Sequence, residues 1–220
     1  MTAPVYATEH VRIYGGDARV IIHDVADESF GVVLTDPPYV YWAHIAATED
    51  VLDIEKEVRW QTELFVYTLQ WFPVVRRMRP GVAWFFADPH YVGVYIRIAR
   101  YLKWPMVGWW PAARGDHEEG LIAFSDEYAR PENALIMEAL KLNSYGQAKR
   151  VEMLSILLGL SPVGAVLDPF CGSGTTLEAA LLSSRTAVGI ELDDKILAGT
   201  VGRMRAIRSE QCPYAGTKRR

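Results

Sequence analysis

The tetrapeptide Asp36-Pro37-Pro38-Tyr39 combines residue types that can act on an aromatic amine. Such an amino nitrogen is a weak nucleophile because its lone pair is delocalised into the ring. Acceptors on both N–H bonds would draw the nitrogen toward tetrahedral geometry, and the Asp36 carboxylate and the Pro37 carbonyl can be these acceptors. The two prolines fix the backbone direction, and Tyr39 can stack on the ring. A rigid turn without catalytic function is the alternative interpretation.

A glycine-containing segment joins the apolar run at 165–168 to a predicted helix at 174–184. It reads Asp168-Pro169-Phe170-Cys171-Gly172-Ser173-Gly174-Thr175-Thr176. Glycines allow a tight turn, and the amides at the helix start, which Ser173 or Thr175 would cap, can face a ligand. The segment has neither the GK[ST] of a P-loop nor the third glycine of the dinucleotide fingerprint. A tight turn alone is the alternative.

Glu191 ends the next apolar run, in Gly189-Ile190-Glu191-Leu192. A carboxylate at this position can accept hydrogen bonds from both hydroxyls of a ribose. Alternatively, it caps the following helix, which also has Asp193 near its start. With the glycine segment, Glu191 predicts a site for an adenosine-containing ligand.

Short apolar runs alternate with helical stretches along the chain. Strands are predicted at 11–14, 31–35, 82–86, 106–110, 165–168 and 186–190, and helices near 57–78, 90–102, 148–159, 174–184 and 194–208. This alternation predicts an α/β fold with a mostly parallel sheet, helices on both faces, and ligands at the carboxyl ends of the strands. Residues 40–54 and 112–133 interrupt the pattern, so they are predicted to be functional loops.

The composition is that of one folded domain over residues 1–220. The formal net charge is −4, so a nucleic-acid contact must come from a local basic patch rather than from the whole surface. The candidate patches are Arg76, Arg77 and Arg79; Lys149 and Arg150; Arg203, Arg205 and Arg208; and Lys218, Arg219 and Arg220. Solvated helix faces and a loose tail are the alternative interpretation.

Several classes of protein are not indicated. No apolar run reaches the roughly 18 residues of a membrane span, which predicts a soluble cytoplasmic protein without a cleaved leader. Cys171 and Cys212 form no CxxC pair, and the histidines lack the spacing of metal ligands. We therefore expect no metal and no disulfide framework.

Together, the two motifs resemble those of the amino-group DNA methyltransferases. Because the Asp36 tetrapeptide precedes the Asp168 segment, the order is similar to that of the circularly permuted beta class. The resemblance implies a Rossmann-like methyltransferase fold with a mostly parallel seven-stranded sheet. It also implies S-adenosylmethionine as cofactor and adenine N6 in double-stranded DNA as acceptor, with the base flipped out of the duplex.

The resemblance also implies roles for single residues. Asp17, after Gly16, would accept from the adenine amino group of the cofactor, Asp168 would bind the methionine ammonium, Phe170 would pack beside the cofactor and Glu191 would hold the ribose. The full set of expected cofactor contacts is Asp17, Ala18, Asp36, Gln147, Lys149, Asp168, Pro169, Phe170, Cys171, Gly172, Ser173, Gly174, Thr175, Thr176, Glu191 and Leu192.

Two segments depart from the family pattern. The family's His-Pro-x-x-Lys-Pro motif is here 145–150, in which Lys149 matches the lysine but the histidine and prolines are missing. Gln147 or a backbone amide would then contact the methionine carboxylate. The target-recognition region is short, at about 112–146, so a second subunit of a homodimer could help to read DNA. Expected DNA contacts, with solvated loop residues as the alternative, are Arg114, His117, Arg130, Asn133 and Arg150.

Other functions remain open on the sequence alone. A cytosine-N4 DNA methyltransferase would use the same chemistry, although that branch more often begins its tetrapeptide with serine. An RNA or protein amide methyltransferase and a silent binding subunit are further alternatives. A C5-cytosine enzyme is disfavoured because neither Cys171 nor Cys212 follows a catalytic strand as a thiolate nucleophile would. The resemblance implies a prokaryotic or phage origin.

Overall fold

The computed structural model describes residues 2–26, 29–38, 62–87, 89–114, 117–142 and 149–207. These residues form an eight-stranded sheet with the order β1-β2-β8-β7-β3-β4-β6-β5. The strands are β1 (Tyr6–Ala7), β2 (Val11–Gly15), β3 (Val32–Thr35), β4 (Val82–Ala87), β5 (Met106–Arg114), β6 (His117–Phe124), β7 (Val166–Asp168) and β8 (Ala187–Glu191).

The five central strands are parallel to one another. β2 pairs with β8, β8 with β7, β7 with β3 and β3 with β4, all in parallel, whereas β1 and β6 are antiparallel to their neighbours. The carboxyl ends of the parallel strands therefore meet at one edge of the sheet, where α/β proteins bind ligands. We call this edge the carboxyl edge.

Helices cover both faces of the sheet. They are α1 (Ala18–Ile21), α2 (62–68), α3 (Phe72–Met78), α4 (Pro89–Tyr101), α5 (Asn133–Lys141), α6 (Val151–Gly159), α7 (Thr175–Leu182) and α8 (Asp194–Ala206). Neighbouring residues of one strand bury side chains in different cores: Phe85 packs against α1–α4, and Trp84 against α5–α8. Because the strands are covered on both sides, they are apolar throughout, as the sequence predicts. The predicted fold class is confirmed.

The expected loop at 112–133 is wrong for much of its length. β5 continues to Arg114, and β6 occupies residues 117–124. With β1, a short strand that was not predicted either, the described residues form eight strands rather than seven. The polar start of β6, at residues 117–119, hides the strand from a hydrophobicity pattern. Its apolar half pairs antiparallel with β4, which fixes it in the sheet.

The prediction of a single helix at 57–78 is also wrong for the part that the structure describes. It is divided into α2 and α3 by a turn at 69–71. Pro73 lies in the first turn of α3. Backbone N–H groups there have no partner within the helix, so proline costs no hydrogen bond. The same proline would interrupt a continuous helix, which explains the break. The predicted loop at 40–54 lies outside the described residues.

No helix in the described ranges is long and apolar enough to cross a bilayer. A search of the same residues finds no group of three or more His, Cys, Asp or Glu side chains arranged to hold a metal ion.

Candidate active site

A cleft of about 650 Å³ opens at the carboxyl edge. This volume lies within the range of about 300–1,000 Å³ that is typical of small-molecule sites. The cleft is lined by Asp17, Ala18, Asp36, Pro38, Tyr67, Pro169, Phe170, Ile190, Glu191, Leu192, Asp193, Asp194 and Lys195. Most of these residues lie at or just after the carboxyl ends of β2, β3, β7 and β8.

Asp168, the last residue of β7, is a buried carboxylate that directly precedes the lining residues Pro169 and Phe170. It is 2 % exposed, and its Oδ1 accepts from Thr35 Oγ1 at 2.6 Å and from the Phe170 amide at 3.1 Å. Burial raises the pKa of Asp168 to about 6, and the charge of Asp36 adds to the rise, although hydrogen bonds from Thr35, Thr176 and Phe170 oppose it. A cation placed here would stabilise the carboxylate that burial disfavours.

The glycine segment turns through left-handed backbone at two residues, Gly172 with φ 50° and Gly174 with φ 81°. Gly174 is itself the N-cap of α7 and provides no side-chain capping bond, so the prediction that Ser173 or Thr175 caps this helix is wrong. Their hydroxyls instead lie 3.2 Å apart, and Arg203 donates to Thr175 Oγ1 at 3.1 Å. Arg203 thus connects the glycine segment to α8.

Replacing Gly174 by alanine is expected to lower the free energy of unfolding by about 1–3 kcal/mol, because the backbone is left-handed there. An added Cβ would also lie 2.7 Å from Thr200 Cγ2. The matched control is Gly202→Ala within α8, where a Cβ meets no atom within 4 Å and helix propensity should add up to about 1 kcal/mol. Chemical denaturation measures both, and equal effects of the two changes would contradict this account.

Glu191 is oriented by two backbone amides. Its Oε2 accepts from the Gly172 amide at 2.9 Å and its Oε1 from the Asp193 amide at 2.8 Å. The N-cap of α8 is Asp193, which accepts from the Lys195 and Ile196 amides. The alternative interpretation of Glu191 as the helix cap is therefore wrong. Its carboxylate instead joins the glycine segment to the end of β8 at the cleft.

Asp17, at the end of β2, caps α1 and pairs with Arg19. Its carboxylate accepts from the Arg19 amide at 2.9 Å and from the guanidinium, which holds the pKa of Asp17 below its usual value. The Arg19 guanidinium also lies 5.3 Å from the centre of the Tyr67 ring. Burial raises the pKa of Tyr67 to about 12, so this phenol stays neutral at physiological pH.

The back of the cleft is aromatic. Phe170 lies 5.1 Å from the ring of Trp71 and 6.3 Å from that of Tyr67, measured between centroids. Trp71 in turn contacts Phe85 on β4. The rings give Phe170 a fixed apolar support, since edge-to-face contacts of this kind are favourable.

Asp36 forms an ion pair that the sequence did not indicate. Lys149 Nζ lies 2.9 Å from Asp36 Oδ2, with 15 % of the lysine side chain and 35 % of the aspartate side chain exposed. The ammonium also lies 4.8 Å from the centre of the Phe86 ring. Lys149 is thus held beside the cleft by Phe86 of β4 and by Asp36.

The predicted contacts divide into three groups. Asp17, Ala18, Asp36, Pro38, Pro169, Phe170, Glu191 and Leu192 line the cleft. Pro37 and Lys149 adjoin Asp36, while Asp168 and the residues from Cys171 to Thr176 are not among the lining residues. Tyr39 and Gln147 lie outside the described residues.

Cys171 is a packing residue in this arrangement. It is buried, its thiol pKa is raised well above the usual value by burial, and its Sγ lies where a side chain at Gly189 would have to go. These features do not suit a thiolate nucleophile.

None of the expected DNA contacts is among the residues that line the cleft. Arg130 stacks 5.3 Å from the centre of the Trp110 ring, and the side-chain oxygen of Asn133 accepts from Trp110 Nε1 at 2.9 Å and from Arg130 at 3.1 Å. Arg150 is the N-cap residue of α6. Arg114 ends β5 and His117 begins β6, and the two are backbone partners in the antiparallel pairing of these strands.

Sequence reasoning missed Thr35, Arg19 and Tyr67. Thr35 immediately precedes the Asp36 tetrapeptide, so its place at a strand end was the available signal. No sequence pattern connects Tyr67 with Phe170, because the contact depends on how α2 packs against the sheet.

Comparison with known proteins gives matches to DNA methylases. Residues 151–201 match the N6_N4_Mtase family, described as DNA methylase. A stretch of 83 residues, 36 % of this chain, is 36 % identical to the type II methyltransferase M.EcaI of Enterobacter cloacae. That stretch spans 18 % of the length of M.EcaI.

Solved structures match almost the whole chain at low identity. TTHA0409 of Thermus thermophilus is 22 % identical with a TM-score of 0.64, covering 94 % of this chain and 97 % of that one. The PvuII DNA methyltransferase, which is cytosine-N4-specific, is 15 % identical with a TM-score of 0.70, covering 92 % and 89 %. The chain therefore has the Rossmann-like methyltransferase fold, and its segment from α6 into α8 matches the DNA methylase family.

Proposed function

We propose that this protein transfers the methyl group of S-adenosylmethionine to an exocyclic amino nitrogen in DNA, and that the acceptor is adenine N6. The observation that carries the proposal is the cleft that Asp36 and Glu191 line, with buried Asp168 ending β7, the strand between β3 and β8. These carboxylates can serve the acceptor amine, the methionine ammonium and the ribose. The match to the DNA methylase family and the structure of TTHA0409 with S-adenosyl-L-methionine support the same assignment.

The cofactor would lie along the carboxyl edge from β3 to β2. Its ammonium would meet Asp168, and its ribose hydroxyls would donate to Glu191, which the amides of Gly172 and Asp193 already orient. Its adenine would lie near Asp17 and Leu192, the second of which is 67 % exposed at the cleft. An apolar surface of this kind can cover a purine ring.

The chemical step is a displacement at the methyl carbon. The amino nitrogen attacks as the carbon–sulfur bond breaks, so S-adenosylhomocysteine leaves as a neutral thioether. The nitrogen becomes cationic and then releases one proton to water. Asp36 accepts one N–H and faces the developing positive charge, while the Pro37 carbonyl accepts the other. Positioning and electrostatics suffice, and no covalent enzyme intermediate is needed.

The β5–β6 hairpin would approach DNA. Ala87, the last residue of β4, pairs with Gly120, but β5 and β6 continue to pair as far as Arg114 and His117. At about 3.3 Å per residue, this ribbon projects roughly 10 Å beyond the end of β4, on the side of the cleft. A two-stranded ribbon fits the major groove of DNA. We propose that the ribbon contributes to target recognition, with Arg130, Asn133 and Arg150 as further contacts.

A cytosine-N4 acceptor is the second candidate. The TM-score of 0.70 with the cytosine-N4-specific PvuII enzyme favours it. The same acceptors would serve either amino group. The aspartate at the first position of the tetrapeptide favours adenine.

Transfer of a tritiated methyl group tests the substrate class. The protein is incubated with labelled S-adenosylmethionine and with duplex DNA, single-stranded DNA or RNA of the same sequence. We expect label in duplex DNA, competed by unlabelled duplex. Label in RNA alone would reject DNA as the substrate, and the absence of label in every polymer would reject the proposed activity.

Cofactor affinity is expected to depend on the ionisation of Asp168. Because its pKa is about 6, the affinity for S-adenosylhomocysteine should be constant above pH 7 and fall as pH drops through 6. The fall should approach about tenfold per pH unit, since only the ionised carboxylate pairs with the ammonium. Calorimetry from pH 5 to pH 8 measures it. An affinity that rises on acidification would contradict the assignment.

Replacing Glu191 by alanine is expected to weaken cofactor binding about tenfold, the loss of one or two hydrogen bonds to a charged acceptor. The matched control is Asp194→Ala, which removes another carboxylate of the cleft lining and should change the dissociation constant little. Calorimetry with S-adenosylhomocysteine compares the two variants. An unchanged constant for Glu191→Ala would refute the ribose role.

A further inference from the structure

The ion pair between Lys149 and Asp36 joins two residues with different proposed tasks. Asp36 lines the cleft and would accept from the target amine, whereas Lys149 is one of the expected cofactor contacts. Nζ is 2.9 Å from Asp36 Oδ2, so the carboxylate that should meet the base already has a cation on it. An acceptor paired in this way is weaker toward an amine, because the ammonium already neutralises part of its negative charge.

The cleft next to this ion pair is mainly acidic. Asp17, Asp36, Glu191, Asp193 and Asp194 line it together with Lys195, and buried Asp168 directly precedes the lining residue Pro169. A ligand carboxylate entering near Asp36 and Asp168 would be repelled by both unless a cation accompanied it. Lys149 lies at this point and has a flexible four-carbon stem.

The contact between Lys149 and the Phe86 ring favours a small movement of the ammonium over a large one. The ammonium stays close to the Phe86 ring, whose centre is 4.8 Å away, and this ring would not move because Phe86 is buried in β4. A shift of Nζ from one carboxylate to another beside the same ring keeps the cation–π contact.

We propose that Lys149 exchanges partners when the cofactor binds: the methionine carboxylate takes the ammonium, and Asp36 is released to accept from the target amine. No bond is made or broken and no proton moves. Cofactor binding thereby prepares the base-binding acceptor, which favours binding of cofactor before the flipped base. The inference rests on the proposed function, since it assigns S-adenosylmethionine to the cleft.

The exchange makes a specific thermodynamic prediction. The Asp36 carboxylate competes with the ligand carboxylate for the Lys149 ammonium. Neutralising Asp36 should therefore raise the affinity for a ligand that carries a carboxylate. The benefit should vanish when Lys149 is absent, and it should not extend to a ligand without a carboxylate. These comparisons separate the exchange from a general change in the charge of the cleft.

The test is a double-mutant cycle with Asp36→Asn, Lys149→Gln and the double variant, measured by calorimetry. The two ligands are S-adenosylhomocysteine and 5′-methylthioadenosine, which lacks the amino-acid carboxylate and ammonium. We expect the effect of Asp36→Asn on S-adenosylhomocysteine affinity to be about fivefold more favourable with Lys149 present than without it, which is the scale of a partly exposed ion pair. The cycle for 5′-methylthioadenosine should give a ratio near one.

Lys149→Arg is the control for folding and charge, and it should retain most of the coupling. Equal effects of Asp36→Asn in the two backgrounds would overturn the exchange while leaving cofactor binding intact. Failure of the wild-type protein to bind either ligand would overturn the proposed function and this inference with it.

Discussion

Replacing Asp36 by alanine is expected to lower the rate of methyl transfer by about 10²–10³-fold, the usual cost of removing a preorganised group that faces developing charge. The side chain is the first polar group after β3 and lines the cleft. Without it, one N–H of the acceptor amine loses its partner, and the cationic nitrogen loses a nearby negative charge. Single-turnover kinetics with saturating cofactor and DNA isolate this chemical step.

Asp126→Ala is the matched control, because this carboxylate pairs with Arg76 outside the cleft lining. Its rate should stay within about twofold of the wild-type value, as expected of a surface substitution. Asp36→Ala should still bind S-adenosylhomocysteine, which separates a chemical role from a structural one. Turnover near the wild-type rate in Asp36→Ala would remove the tetrapeptide from the mechanism.

Replacing Asp168 by asparagine is expected to weaken binding of S-adenosylhomocysteine at least about 30-fold, since a buried charge that pairs with the ligand is lost. Calorimetry at pH 7.5 measures the change. Thr35→Val is the companion variant: it keeps the charge but removes the hydroxyl that donates to Asp168 at 2.6 Å, so its effect should be smaller. Wild-type affinity in Asp168→Asn would contradict an ammonium partner at this position.

The same substitution should not weaken the fold. Burial raises the pKa of Asp168 from 3.8 to about 6, so the folded protein holds this proton more tightly than the unfolded chain does. The contribution of Asp168 to stability is therefore largest below pH 3.8 and is lost as pH rises through 6. At neutral pH the neutral amide should match or exceed the wild-type melting temperature. A large loss of stability would mean that the carboxylate is structural.

The parallel sheet and the position of the cleft could be predicted because their signals are local. Asp36, Asp168 and Glu191 each end an apolar run, and parallel strands place their carboxyl ends at one edge. β6 was missed because three polar residues begin it, and its pairing with β4 decides its structure. The cap of α7 was mistaken because Gly174 adopts a left-handed backbone that composition alone does not reveal.

The contacts that tune the site could not be read from the sequence. Thr35 meets Asp168, and Asp36 meets Lys149, across separations of more than a hundred residues. Each contact depends on neighbouring strands or on the helix start beside them, so it exists only in the folded chain. The residue types indicated the chemistry, while the packing determined which carboxylates are buried, paired or open to a ligand.

Nucleoside mass spectrometry of unmethylated duplex DNA, after incubation with the protein and S-adenosylmethionine, tests the central claim most directly. The proposed activity predicts N6-methyladenine in the wild-type reaction and none above background with Asp36→Ala. N4-methylcytosine would contradict the adenine assignment, and the absence of any methylated nucleoside would contradict methyl transfer to DNA.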